Sequence, residues 1–235
     1  MNEIRLNKAM ATLGICSRRT ADEFISKGMV SVNNIQIKEL GTKVKQKDII
    51  TVNGTRYVLK NKPEPSVWIY NKPAGLITTH KDTRGRDTVF DAVRDIIGER
   101  IISVGRLDIN SEGLLLLTNS SKFAHQAERS NWERHYKIRA FGTFPENFIQ
   151  QLSKGIIIDG IYYSPISVSK LKVSDKSKNN WFLCILKEGK NREIRKIFEH
   201  FGLKVNRLIR IKYGQYELGN LAVGHIAKVK NFIEK

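Results

Sequence analysis

Hydrophobic residues in the first part of the chain recur at intervals of three and four, the spacing of one face of an α-helix. Positions 4–13 follow this spacing, and Gly14 stands where such a helix would end. A second helix is predicted from Ser17, a suitable N-cap, to Gly28, with Ile25 turned inward. The chain therefore opens with a predicted pair of short helices.

After these helices the hydrophobic period changes from helical spacing to two, which is typical of strands. Apolar and polar residues alternate on both sides of Asn33-Asn34 and again on both sides of Asn53-Gly54, and each dipeptide suits a hairpin turn. Residues 61–66 hold two of the five prolines and few apolar residues, as a linker would. The pattern predicts a first domain at 1–60, a linker at 61–66 and a second domain at 67–235.

The second domain alternates between strand-like and helix-like segments and contains no repeat. Its pattern predicts an α+β fold with a mainly antiparallel, mixed sheet and flanking helices. Predicted helices cover 88–98, 121–130 and 191–202. Predicted strands cover 100–105, 113–120, 135–142, 155–173, 180–189 and 204–218, and residues 67–79 read as strand, turn and strand.

Composition adds a class of partner to this picture. A net charge of +18 favours nucleic acid, because neutralising phosphates releases counterions. The rival partner, an acidic membrane surface, would need a basic amphipathic helix, which the pattern does not contain. We expect no membrane span and no signal peptide. Cys16 and Cys184 form no paired motif, so we expect free thiols in a reducing cytoplasm.

The segment "VGRLDINSEGLLLLTNS", residues 104–120, sets a carboxylate on a turn between two apolar runs. Asp108 has two interpretations from spacing alone. It either caps an Asx-type turn by bonding the backbone, or it acts as a nucleophile. The second role needs a nearby cation to keep the carboxylate ionised, and Arg106 or the arginines near the C-terminus are candidates. Phosphate-binding glycine loops and metal-binding motifs are missing, so we expect no metal.

Four stretches together carry a resemblance to a known family. "GRLDINSEGLLLLT" resembles the active-site motif of RNA pseudouridine synthases, in particular the RsuA/RluB branch. "NKPAGLITT" is similar to that family's N-terminal motif, "ERHYKIRAFG" to its tyrosine strand, and "EGKNREIRKIFEHFGLKVNRLIRIKYG" to its C-terminal motif. The first sixty residues resemble an S4 RNA-binding domain. The resemblance runs in order along nearly the whole chain.

The resemblance implies an isomerisation of uridine to pseudouridine in ribosomal RNA, most closely large-subunit RNA, without cofactor or metal. Asp108 would be the essential aspartate, and Tyr136 would stack on the target base and assist proton removal. Arg195 would pair with Asp108 in a largely dry pocket, and Leu208 would form an apolar wall. The target uridine would be flipped out of its stack. The family also implies a monomer in the cytoplasm that acts on ribosomal RNA or an assembly intermediate.

Basic residues supply the expected RNA contacts of both domains. Each also has a simpler interpretation as a solvated surface or, at Lys72, as turn chemistry. The expected set is Arg5, Lys8, Arg18, Arg19, Lys27, Lys72, Arg106, Arg192 and Lys196.

Three other functions stay open at this point. A non-catalytic S4 protein would be expected to lack Asp108 or its cationic partner. An RNA methyltransferase would need a glycine-rich loop after a strand, and none is found. A synthase acting on small-subunit RNA would share the motifs.

Overall fold

The computed structural model describes residues 3–59, 64–80, 82–171, 179–230 and 232–234. Two compact units emerge. The first comprises Met1–Glu64 with Ile97–Arg100, and the second comprises Pro65–Ile96 with Ile101–Lys235. Residues 97–100 were expected in the second domain and instead cluster with the first, where Arg100 donates to the carbonyl of Cys16 at 3.2 Å. The predicted linker lies partly outside the described residues.

The first unit begins with the two predicted helices. Ser17 caps the second helix by accepting a hydrogen bond from the Thr20 backbone N–H at 3.1 Å, as its side chain suggested. Leu6 and Met10 from the first helix and Ile25 from the second are buried in one core. The elements so far are β1 (Ile4–Arg5), α1 (Leu6–Thr12) and α2 (Arg18–Ser26).

Both predicted hairpins form in the first unit, in a four-stranded antiparallel sheet of order β3-β2-β5-β6. Asn33, Asn34, Asn53 and Gly54 all adopt positive φ, which the tight hairpin turns require. The strands are β2 (Val30–Val32), β3 (Ile35–Ile37), β4 (Lys43–Val44), β5 (Ile49–Val52) and β6 (Thr55–Val58), and β4 pairs with β1.

The second unit is built on a mixed sheet with nine strands among the described residues, ordered β13-β14-β10-β15-β9-β7-β17. Its strand pairs are antiparallel except the β15–β9 pair, and β16 and β8 add to β15 and β9. The strands of this sheet are β7 (Val67–Lys72), β8 (Ile102–Ser103), β9 (Glu112–Thr118), β10 (Arg134–Phe141), β13 (Ser167–Lys170), β14 (Asn179–Leu186), β15 (Lys204–Tyr213), β16 (Tyr216–Glu217) and β17 (Ile226–Lys228). A separate two-stranded sheet is formed by β11 (Ile156–Ile158) and β12 (Ile161–Tyr163). The helices are α3 (Val89–Ile97), α4 (Ser121–Arg129), α5 (Phe148–Leu152) and α6 (Glu193–His200).

The α+β prediction with a mainly antiparallel mixed sheet is confirmed, and some of its elements were wrong. Residues 73–79 do not form the predicted second strand, because Ile77 makes only an isolated bridge to Thr88. The predicted strand at 100–105 shrinks to Ile102–Ser103. Helix α5 and strand β17 were not predicted. The last residues of the predicted 155–173 strand segment lie outside the described residues.

Candidate active site

A cavity of about 930 Å³ opens on one face of the large sheet, and Asp108, Tyr136 and Leu208 all line it. Tyr136 on β10 and Leu208 on the neighbouring β15 are both buried. Side chains alternate between the two faces of a strand, so these two residues share the cavity face. The loop before β9 brings Asp108 to the same space. The structure therefore brings together three of the four residues that were expected to act on the base.

The Asp108 loop is anchored by the strand that follows it. Leu114, Leu115, Leu116 and Leu117 of β9 are completely buried. Gly113, at φ +95°, lies against β15 so closely that a Cβ atom would come within 2.2 Å of the Arg210 carbonyl oxygen. Only glycine permits this approach and this backbone conformation. The leucine run thus fixes where the loop ends.

Lys72 is buried under the Asp108 loop and holds it through hydrogen bonds, so it does not face RNA. Its side chain is fully buried, and its ammonium donates to the carbonyls of Ser111 at 2.8 Å, Pro73 at 2.9 Å and Ile109 at 3.3 Å. Burial lowers the pKa of Lys72 to about 8, while the negative charges of Asp108 and Glu112 oppose that shift. The prediction that Lys72 contacts RNA was therefore wrong, because no phosphate reaches a fully buried group.

The carboxylate of Asp108 is left free for chemistry. No hydrogen bond joins it to a backbone N–H of the described residues; the Asp108 carbonyl, not its side chain, accepts from the Ser111 N–H at 3.0 Å. The Asx-type turn is therefore not formed. One third of the Asp108 side chain is exposed, and Nη1 of Arg192 lies 3.8 Å from Oδ2 of Asp108. This cation comes from the first residue before α6.

The expected ion pair between Asp108 and Arg195 is absent, since no nitrogen of Arg195 lies within 4.0 Å of the carboxylate. Arg195 instead donates through Nη2 to the carbonyl of Asn110 and through Nη1 to that of Val205, both at 3.0 Å. Burial lowers the pKa of Arg195, Arg192 lowers it further, and Asp108 opposes both. Arg195 holds the loop that carries Asp108, and Arg192 is the cation beside it.

Two buried arginines that the sequence analysis missed line the same cavity. Arg134 donates to the carbonyls of Trp132 and Lys187 and to the Tyr213 hydroxyl, and Arg210 donates to the carbonyl of Leu114 at 2.7 Å. Both guanidiniums lie over the Tyr213 ring, 4.7 and 5.0 Å from its centroid. Neither has a carboxylate within 4.0 Å among the described residues. Strand alternation could have found them, because each lies two residues from Tyr136 or Leu208.

Glu193 is the buried carboxyl at this site. It lines the cavity next to Arg192, and its Oε2 accepts from the Lys190 backbone N–H at 2.8 Å. Burial, together with the neighbouring carboxylate of Glu188, raises the pKa of Glu193 to about 8, while the Lys190 N–H opposes the shift. At neutral pH this group is therefore mostly protonated and adds little negative charge to the cavity.

The other residues expected to contact RNA fall into three places. Arg106 is exposed at the rim of the cavity, whereas Lys196 is half-buried one turn after Arg192 and does not line it. In the first unit, Lys27 lies at the opposite end of α2 from Arg18, about 13 Å along the helix axis, so those cations do not form one tight cluster. The first unit's candidates are exposed except the half-buried Lys8: Arg5, Lys8, Arg18, Arg19 and Lys27.

No group of three histidine, cysteine or acidic side chains among the described residues is arranged to hold a metal ion. None of the described helices combines the length and the apolar character that crossing a membrane requires.

Comparison with known proteins matches this geometry to a family. Residues 66–200 match the RNA pseudouridylate synthase family, and residues 4–50 match the S4 domain. A solved structure of a pseudouridylate synthase has the same fold, with a TM-score of 0.66 at 23% identity over 96% of each chain.

The chain is also similar over its length to curated bacterial proteins. An uncharacterized RNA pseudouridine synthase of Rickettsia prowazekii is 47% identical over 97% of this chain and 95% of its own. Ribosomal large subunit pseudouridine synthase B of Xylella fastidiosa is 38% identical over 90% of this chain, which spans 46% of that protein. With more than half of its residues matched by one family model, this chain belongs to the RNA pseudouridylate synthase family.

Proposed function

We propose that this protein converts a specific uridine of large-subunit ribosomal RNA to pseudouridine, with Asp108 as the nucleophilic carboxylate. The observation that carries the proposal is a carboxylate without backbone hydrogen bonds, held on a tied loop at a cavity that also contains Tyr136. The large-subunit target is supported by relatives named ribosomal large subunit pseudouridine synthase B, which are 35–38% identical.

In the proposed reaction the target uridine leaves its stack and enters the cavity, because its glycosidic atoms are shielded inside a helix. The Asp108 carboxylate attacks C1′ of the ribose as the bond from C1′ to N1 breaks. The base then rotates, and its C5 forms the new bond to C1′ while the bond between Asp108 and C1′ breaks. The proton on C5 is then lost to solvent, and N1 gains one. Tyr136 stacks on the base and assists that proton removal, and Leu208 forms the apolar wall.

Each set of cations has a distinct part in this proposal. Arg192 stabilises the charge of Asp108 directly, and Arg195 and Lys72 hold the loop through its carbonyls. Arg106 and Lys196, at or near the cavity, and the exposed cations of residues 1–60 bind phosphates of folded RNA, by shape more than by sequence. Residues 67–235 carry the catalysis and residues 61–66 connect the two parts.

The enzyme acts in the cytoplasm on ribosomal RNA or an assembly intermediate, and as a monomer, as the resemblance implies. Small-subunit RNA is the alternative target. Pseudouridine mapping of both ribosomal RNAs, from cells with and without the protein, distinguishes the two.

Asp108→Asn tests the catalytic assignment. The amide is nearly isosteric and is not a competent nucleophile, so tritium release from C5-labelled ribosomal RNA should fall to background while RNA binding is kept. Asp159→Asn is the matched control, because Asp159 is exposed at a hairpin turn with φ 50°, a conformation that asparagine also adopts. Substantial turnover by Asp108→Asn would remove this residue from the catalytic role.

A further inference from the structure

The face of the large sheet that points away from the active-site cavity carries its own row of cations. On β10, Tyr136 and Ile138 point inward, so His135, Lys137 and Arg139 alternate to the opposite side. Their register partners on β15 add to the row, since His135 pairs with Lys212 and Arg139 pairs with Arg207. We call this surface the outer face. Its basic residues are His135, Lys137, Arg139, Lys204, Arg207 and Lys212.

Only part of this positive charge is balanced within the protein. Glu112 binds Arg207 through two hydrogen bonds of 2.8 Å, Glu217 pairs with Lys212, and Glu133 lies 3.1 Å from His135. The remaining cations of the outer face are Lys137, Arg139 and Lys204, which are exposed and have no carboxylate within 4.0 Å in the described part of the chain.

Arg139 has no acidic partner among the described residues. It lies directly opposite Arg207 in the antiparallel pair, and like charges at such positions repel. Glu112 compensates Arg207 only. An anion bound beside Arg139 would supply the acidic partner that this residue lacks.

The shape and the other side chains of the outer face also suit a nucleic acid. Lys137, Arg207 and Lys212 line a cavity of about 610 Å³ on this side. Lys137 and Arg139 are two residues apart, about 6.8 Å along the strand, a spacing comparable to that of successive phosphates. The half-buried Trp181 lies opposite Arg139 on β14 and offers a ring beside the cations.

We propose that the outer face binds the phosphate backbone of a second RNA segment while the target nucleotide occupies the cavity on the other side of the sheet. This rests on the proposed function only in taking RNA as the substrate. A short strand in the cavity does not reach through the sheet, whereas a large folded RNA presents segments to both faces. The outer face thus contributes to the preference for folded ribosomal RNA over short strands.

The test removes two unbalanced cations from the full-length protein, as Lys137→Gln with Arg139→Gln. The control, Lys154→Gln with Lys230→Gln, removes the same charge at exposed lysines outside both cavity linings. Affinity for a full-length large-subunit rRNA transcript and for a short oligouridylate is measured across a salt series. Tritium release by the unaltered enzyme on the same transcript tests the proposed function separately.

The expected result is a loss of about tenfold in affinity for the transcript at physiological salt, with a salt slope shallower by about 1.5. Affinity for the oligouridylate and kcat at saturating RNA should stay those of the control. If the outer-face variant binds the transcript as the control does, with the same salt slope, the proposal is overturned. The outer face would then bind no RNA, and it would either stay unoccupied or bind an acidic protein. An equal loss for the short strand would also overturn the proposal, since the face would then act through the cavity.

Discussion

The two sides of strands β10 and β15 both carry basic residues, which are buried on one side and exposed on the other. Arg134 and Arg210, on the cavity side, are buried and donate to carbonyls and to a tyrosine hydroxyl. Lys137 and Arg139, on the outer side, are exposed and lack carboxylate partners. The buried cations are bound by neutral acceptors, so their charge is not cancelled, and Nη2 of Arg210 is buried without a hydrogen-bond partner among the described residues. The exposed cations have no such buried contacts, so we expect them to affect RNA binding more than stability.

Removing a buried cation is expected to have the largest effect on the free energy of unfolding. Lys72→Met should lower the free energy of unfolding by about 2–4 kcal/mol, because the carbonyls of Pro73 and Ser111 lose their buried donor. Ile109 keeps a partner in the Gly75 N–H. Tritium release should fall as the Asp108 loop loosens. Urea denaturation of the purified variant measures the stability.

Arg106→Gln is the matched control for this change, because Arg106 is an exposed cation at the same cavity. Its stability should stay within about 0.5 kcal/mol of the unaltered protein. Equal stability of the two variants would mean that Lys72 does not hold the loop.

The next prediction compares Arg195, which holds the Asp108 loop through its carbonyls, with Arg192, which lies beside the Asp108 carboxylate. Arg195→Met should lower kcat about 10- to 100-fold, since the loss of the hydrogen bonds that this charged group donates costs about 1.5–3 kcal/mol. Arg195→Lys should be intermediate, because a single ammonium does not reach both the Asn110 and the Val205 carbonyl. Arg192→Gln should cost about fivefold or less, as a half-exposed ion pair is weak.

Steady-state tritium release gives kcat and KM for all three variants. A larger loss of kcat in Arg192→Gln than in Arg195→Met would show that direct contact with Asp108, and not the tie to the loop, governs activity. The melting temperature of each variant shows whether a loss of kcat comes from unfolding. Arg192→Gln should keep the melting temperature of the unaltered protein, because Arg192 makes no buried hydrogen bond in the described structure.

Local patterns were enough to predict much of this structure, and the remaining parts depend on distant contacts. Hairpin turns and the cap at Ser17 are local, so the residues themselves predict them. The burial of Lys72, which was named as an RNA contact, was not predicted, because two of its three carbonyl acceptors lie 37 and 39 residues away along the chain. The Arg195 pairing is not formed in this structure, where the guanidinium donates to the carbonyls of Asn110 and Val205. Helical period does not reveal which of two arginines one turn apart reaches the Asp108 carboxylate and which reaches a carbonyl of the same loop.

The last expected effect is a change in how stability depends on pH, and it concerns the buried acid among these cations. An unfolded glutamate titrates near pH 4.3, whereas Glu193 in the folded protein titrates at about 8. Between these values the unfolded state binds fewer protons than the folded state, so this group makes stability fall as pH rises.

Glu193→Gln removes that dependence and keeps an acceptor for the Lys190 N–H. The variant should match the unaltered protein near pH 4 and exceed it in stability near pH 8. Urea denaturation across this range measures the difference, and Glu199→Gln, an exposed change on the same helix, is the control. If both variants follow the same pH profile, Glu193 is ionised at neutral pH and the cavity is less positive than its buried arginines suggest.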